Sequence, residues 1–166
     1  DAALVWQESY SGPAAADFDN DGRLDLFFTT AYKNDKGRLF RNLGGWRFQE
    51  VPGAGGVVSG LTSQVAWADF DNDGRLDLFT AGKLYRNVGP AGNYLRLELT
   101  GRPPNTMAAG AVVRISGDGV LPQMRQVEAG TGSGCQNEAV CHFGLGDAAG
   151  EVTAEIRWPD GVVESF

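Results

Sequence analysis

Short runs that alternate apolar and polar residues, divided by glycine-rich connections, dominate this chain. Tyr94-Leu95-Arg96-Leu97-Glu98-Leu99 alternates cleanly, as do Ala111 to Ile115 and Val152 to Trp158. A period of two puts one face of a strand on a core and the other away from it. Leu24-Asp25-Leu26-Phe27 and its copy Leu76-Asp77-Leu78-Phe79 alternate and then run apolar, again as strands do. Trp46-Arg47-Phe48-Gln49-Glu50-Val51 reads as one more strand. No long helical period appears, and 24 Gly with 7 Pro suit turn-rich β structure. The pattern predicts an all-β fold. No apolar stretch approaches the ~20 residues of a membrane span.

The alternation is organised by a repeat. Asp17-Phe18-Asp19-Asn20-Asp21-Gly22-Arg23-Leu24-Asp25-Leu26-Phe27 recurs letter for letter as Asp69 to Phe79. Further on, Gly37-Arg38-Leu39-Phe40-Arg41-Asn42-Leu43-Gly44 matches Gly82-Lys83-Leu84-Tyr85-Arg86-Asn87-Val88-Gly89. The loops are 52 residues apart and the later segments 45, so the first repeat carries seven extra residues. They fall around Ala31 to Lys36, a polar stretch expected to form a longer exposed hairpin tip. The second repeat has no counterpart of the Trp46 strand. After Gly89-Pro90-Ala91-Gly92 the pattern changes, and a second all-β module is expected from Asn93 onward.

Each loop gathers four carboxylates within nine residues. Charges that close are hard to fold without a cation among them. Calcium takes six to eight oxygens, and alternate residues of an acidic loop supply them. On that reading Asp17, Asp19 and Asp21 donate side-chain oxygens, Arg23 its backbone carbonyl with its side chain left to solvent, and Asp25 closes the site. The second set is Asp69, Asp71, Asp73, the Arg75 carbonyl and Asp77. Gly22 fits the point where the loop reverses with φ > 0. Phe18 and Phe70 are expected to point into the core. An EF-hand is excluded: it needs a Glu at position 12, where Phe28 and Thr80 stand, and a helix ahead of the loop, where Gly12-Pro13 stands. Magnesium prefers fewer carboxylates and zinc favours His and Cys. Two Ca²⁺ ions fit best.

Charge agrees. The net charge is −7, and without the eight loop aspartates the remainder is formally +1. The acidity therefore belongs to the two loops, and no basic stripe argues for nucleic acid. Cys135 and Cys141 are the only cysteines. In an oxidising compartment they are expected to close a short disulfide loop, the alternative being two buried thiols. The chain begins at Asp1, which reads as a processed or excised fragment, and export is expected. No Asn-x-Ser/Thr sequon occurs.

Both loops and their flanks, Val65-Ala66-Trp67-Ala68-Asp69 through Asn87 and Ala14 to about Val58, resemble the FG-GAP/VCBS repeats of integrin-like β-propellers. Asn93-Tyr94-Leu95-Arg96-Leu97, Gly110-Ala111-Val112-Val113, His142-Phe143-Gly144-Leu145-Gly146 and Arg157-Trp158-Pro159-Asp160-Gly161 resemble the ASPIC/UnbV domain. The resemblance implies two propeller-type blades, each with Ca²⁺ in a β-hairpin, over residues 1–60 and 61–92, then a small β-sandwich-like module over 93–166. Two blades cannot close a ring of about four to eight. Open edges are templates for pairing, so the chain is a fragment, or the C-terminal module covers the edges, or copies pair through them. Leu4-Val5-Trp6 is a candidate for a strand added to a neighbour.

Little points to catalysis, and no enzyme is expected. His142 is the single histidine, has no partner motif and reads as structural. Gly144-x-Gly146-x-x-Ala149 is followed by a strand pattern, which the dinucleotide fingerprint does not allow. The loop aspartates are committed to metal. Trp6, Trp67 and Trp158 read as core residues, and Trp46 is the best candidate for an exposed one. These readings predict an extracellular, Ca²⁺-stabilised structural or adhesion protein that assembles as a homo-oligomer or with another extracellular protein. The alternative is a carbohydrate-binding accessory module.

Overall fold

A computed structural model of the chain describes residues 10–32, 35–53, 64–90, 92–132 and 134–166. Leu4-Val5-Trp6 and the junction at residue 60 lie outside the described residues. The fold is all-β. The first blade is an antiparallel sheet β1-β2-β3-β4, made of Tyr10–Ala16, Asp25–Thr30, Arg38–Asn42 and Phe48–Glu50. The second is β5-β6-β7, made of Val65–Ala68, Asp77–Thr80 and Lys83–Tyr85. The C-terminal module stacks two sheets. One has the order β10-β9-β12-β13, from Val120–Gln126, Val112–Gly117, Val152–Arg157 and Val163–Ser165. The other pairs β11, Val140–Gly146, with β8, Asn93–Glu98.

The alternation sorts these strands as read. In the first blade Phe27 and Leu39 face inward, in the second Trp67, Leu76 and Leu78, and these side chains merge into one core. Phe27 meets Trp67 edge to face at 6.4 Å, which joins the blades. Val113, Ile115, Cys141, Phe143, Ala154 and Ile156 fill the sandwich. Among the described residues the second blade has no fourth strand. Its β6–β7 hairpin turns on Ala81 and Gly82 with φ of 51° and 70°, the two positive values of a two-residue turn that matches strand twist. The first blade reaches the same place by its longer connection, where Tyr32 is exposed.

Two expectations are corrected here. Phe18 and Phe70 do not behave alike. Phe18 packs against the blade core, whereas Phe70 is 49% exposed. Phe18 sits over the cleft between the blades with Phe27, Leu39, Trp67 and Tyr85. Among the described residues no further blade follows to give Phe70 such a neighbour. No disulfide joins Cys135 to Cys141. Cys141 lies in β11 opposite Leu97 with its thiol buried in the sandwich core. Cys135 lies in a bend bridged to Gly132. Burial pushes the Cys141 thiol up to about 11.

Trp46 is 86% exposed. It stands in the turn between β3 and β4, after Gly44 and Gly45, and not in a strand. Trp158 packs on the sandwich core and donates its indole N–H to Glu164 Oε2 at 2.8 Å.

The C-terminal module covers one blade edge. Asn137 Oδ1 accepts the Trp67 N–H at 2.9 Å, and the Glu138 N–H is directed at the Trp67 carbonyl at 3.2 Å. Glu138 Oε1 accepts the Asp69 N–H at 3.1 Å. The exposed side of β5 is thus satisfied by a loop, one of the ways a sheet edge is blunted. Among the described residues no helix is long and apolar enough to cross a membrane.

Candidate metal centres

Both acidic loops close the same way, because the same residues impose the same turns. Asn20 and Asn72 adopt φ of 59° and 57°, and Gly22 and Gly74 adopt φ of 89° and 84°. These are left-handed values that Asn tolerates and Gly takes freely. Asp17 receives the N–H of Asp21 at 3.1 Å and of Gly22 at 2.9 Å. Asp69 receives those of Asp73 and Gly74, both at 3.0 Å. The closing aspartates match too. Asp25 accepts the Phe18 and Asn42 N–H groups at 3.2 and 2.7 Å, and Asp77 accepts those of Phe70 and Asn87 at the same distances.

The donor geometry fits a calcium-sized ion. Oxygens that share one Ca²⁺ at about 2.3–2.6 Å lie no more than ~5 Å apart. Carboxylate oxygens of Asp17, Asp19 and Asp21 lie within 4.8 Å of one another, as do those of Asp69, Asp71 and Asp77. Asp25 and Asp73 stand outside these groups. Their contacts do not set them apart, since Asp77 accepts the equivalent N–H groups to Asp25, and Asp21 is paired with Arg23 and Arg41 as Asp73 is with Arg75 and Arg86. Asp17, Asp25 and Asp77 are 1% exposed and Asp69 is 3% exposed. Burial pushes Asp17 up to about 6 against the pull of the Gly22 N–H. Burial likewise pushes Asp25 up to about 8, with the Asn42 N–H opposing it. Asp19 and Asp77 are also raised, chiefly by burial. These acids resist ionisation when no cation is among them.

Several participants escape the loop spacing. Arg23 does not extend into solvent: its Nη1 donates to Asp21 Oδ2 at 2.8 Å. Arg75 pairs with Asp73 and donates Nε to the Asn87 carbonyl at 3.0 Å. Arg41 and Arg86 reach the second aspartate of each loop, Asp19 and Asp71, at 2.6 and 2.7 Å. The matching Arg41-Asn42 and Arg86-Asn87 in the repeat are the one signal of these partners in the sequence. A different group comes from the sheet of β8 and β11, and no repeat announces it. Alternation turns Leu95, Leu97, Cys141 and Phe143 into the sandwich. Their neighbours Tyr94, Arg96, His142 and Gly144 lie on the other face, across from one another in the pairs Arg96–His142 and Tyr94–Gly144.

That face meets both loops. The Gly144 N–H donates to Asp17 Oδ2 at 3.1 Å. His142 Nε2 lies 2.8 Å from Asn20 Oδ1, which makes Nε2 the protonated nitrogen. Asn20 Nδ2 donates to the carbonyl of Gly74 in the other loop at 2.8 Å. Tyr94 stacks on His142 with centroids 5.7 Å apart. Arg96 donates to Asn72 Oδ1 at 2.7 Å and to Glu138 Oε2 at 2.8 Å. Burial, then the charges of Arg96 and Arg125, lower His142 to about 4, so it is neutral at physiological pH.

Comparison with known proteins agrees with this architecture. A model of the FG-GAP-like repeat matches residues 17–80, and a model named ASPIC and UnbV matches residues 101–166. The chain carries FG-GAP-like repeats followed by an ASPIC/UnbV domain. The acidic loops thus belong to the FG-GAP-like segment, and β9 to β13 to the ASPIC/UnbV domain. The chain is also similar to Cartilage acidic protein 1 of Mus musculus, 36% identical over 177 residues, covering 91% of this chain and 26% of that protein. The Homo sapiens protein of that name is 35% identical, covering 90% and 25%. The Xenopus tropicalis one is 32% identical, also covering 90% and 25%. The chain spans about a quarter of the length of the curated relatives it matches.

Proposed function

We propose that this chain is an extracellular structural or adhesion module whose two FG-GAP-like loops bind Ca²⁺ and rivet the blades to the ASPIC/UnbV domain. One observation carries the reading. Both acidic loops are docked on the β8/β11 face through Asp17–Gly144, Asn20–His142 and Asn72–Arg96. Asp17, Asp19 and Asp21 would hold one ion and Asp69, Asp71 and Asp77 the other, with Asp25 and Asp73 completing or steadying the loops. A divalent cation there supplies the positive charge that lets the buried carboxylates ionise. Binding only to the folded loops, it stabilises them by mass action. Each site at a hundredfold excess over its dissociation constant contributes about 2.7 kcal/mol.

The reading assigns no catalytic role. His142 is enclosed by Asn20 and Tyr94 and serves the docking. Self-assembly is part of it, since among the described residues β4 and β7 end their sheets in the strand order and Leu84 on β7 is half exposed. Stripping Ca²⁺ should lower the melting temperature by about 10 °C, from the stabilisation of two sites and the size of the chain. An unchanged melting temperature rejects the metal reading. Sedimentation velocity in Ca²⁺ should show oligomers; a monomer at all concentrations rejects self-assembly. The second reading, carbohydrate binding, rests on the exposed Trp46 and predicts glycan-array signals that Trp46→Ala abolishes.

A further inference from the structure

The two loops share eleven residues, and the β8/β11 sheet touches them at the same two positions with different chemistry. At the fourth position Asn20 meets the neutral ring of His142, while Asn72 meets the guanidinium of Arg96. At the first position Asp17 Oδ2 accepts a backbone N–H from Gly144 at 3.1 Å. Asp69 Oδ2 instead faces Arg96 Nη1 at 3.5 Å. Four of the other cations match from loop to loop: Arg41 with Arg86 at the third position, and Arg23 with Arg75 beside it. In direct contact, the first ligand therefore meets a peptide dipole in one loop and a full positive charge in the other.

We propose that Arg96 makes the two identical loops unequal, holding the second at a lower affinity for divalent cations so that it exchanges its ion while the first retains it. The inference rests on the calcium reading of both loops. A fixed charge beside a ligand carboxylate repels an incoming cation and already answers part of that carboxylate's charge. Two other groups act on the balance. Glu138 holds the second fork of Arg96 at 2.8 Å and draws off part of its charge. Arg125 acts on Asp17 through space, while its guanidinium lies 5.2 Å over the Phe143 ring. Arg96 approaches its aspartate directly, and Asp69 has a fully buried side chain, where screening is weak. The difference expected is about tenfold in dissociation constant, from one unit charge at several ångströms in a partly screened site.

Calorimetric titration of the metal-stripped chain with CaCl₂ tests this. The unaltered chain should show two classes of site about tenfold apart, and Asp71→Asn should remove the weaker class alone. Arg96→Gln should bring the weaker class towards the stronger, while Arg96→Lys, which keeps the charge, should preserve the gap. Glu138→Gln keeps an acceptor for the Asp69 N–H but releases Arg96 from its second partner, and should widen the gap. Equal affinities in the unaltered chain, or a gap unmoved by Arg96→Gln in folded protein, overturn the inference and leave the calcium reading intact. If Arg96→Gln does not fold, an unmoved gap in Glu138→Gln overturns it. Absence of Ca²⁺ binding in any form overturns the calcium reading itself.

Discussion

Residues 17–27 and 69–79 are the same peptide placed in two surroundings. The first loop is anchored between the blades and the β8/β11 face, with Asn20 1% exposed and bonded to His142 and to Gly74. The second lies nearer solvent, with Phe70 and Asn72 exposed and Arg96 over its first aspartate. An acidic loop therefore specifies its own turn but not what packs on its first and fourth residues, and on the proposed calcium reading it is that packing which sets its strength as a site.

The contrast is broken most severely at Gly144. A Cβ there would lie 2.3 Å from Asp17 Oδ2 and 2.4 Å from the Asn20 backbone. Gly144→Ala should cost about 3 kcal/mol, the upper range for overpacking, and should impair Ca²⁺ binding at the first loop more than at the second. Chemical denaturation and calorimetry read the two effects. Equal damage at both loops would count against separate docking.

Removing the fourth residue of each loop sharpens the comparison. Asn20→Ala leaves a buried histidine N–H and the Gly74 carbonyl without their partner, a loss of about 2 kcal/mol beyond the left-handed backbone cost that both positions share. Asn72→Ala strips one exposed contact to Arg96 and should cost about 1 kcal/mol, most of it from the left-handed backbone that alanine tolerates poorly. Denaturant midpoints compare them, and a larger cost for Asn72→Ala reverses the assignment of which loop is anchored.

The smallest effect is in pH. In the metal-free protein the raised Asp17 and Asp25 bind protons in the folded state that the unfolded chain has released. Each therefore removes stability as pH rises, between 3.8 and about 6 for Asp17 and up to about 8 for Asp25. His142, lowered from 6.5 to about 4, has the opposite sign over its own window and offsets Asp17. Above about pH 6.5 Asp25 remains uncompensated. The melting temperature of stripped protein should fall from pH 6.5 to 8, and that of the Ca²⁺-loaded protein should not. A flat profile in the stripped protein would show that Asp25 is already ionised.

Much of the molecule is legible in its residue pattern. Alternation identifies the strands of both modules, the offset between repeats locates the longer β2–β3 connection, and the lack of a second Trp46-like segment matches the three strands that the second blade has among the described residues. Ligand spacing brings six of the eight loop aspartates into two groups of three. Asp25 and Asp73 escape it, because spacing along a chain does not say how closely each carboxylate oxygen approaches the others. Phe18 and Phe70 escape it because identical residues are given different neighbours. The cysteine pair escapes it because five residues of separation leave open whether one thiol turns into a core.

The sequence by itself determined the loops: Asn and Gly at the reversals, aspartates on alternate residues and β-strands on either side are local, short-range choices. It also determined that Tyr94, Arg96, His142 and Gly144 share a face, because strand periodicity does. Only the tertiary structure decided that this polar face meets the acidic loops instead of water, and that Arg96 falls on one loop and Gly144 on the other. Contacts between residues more than 100 positions apart, such as Asn20 with His142, depend on how whole sheets pack, and no local pattern encodes that.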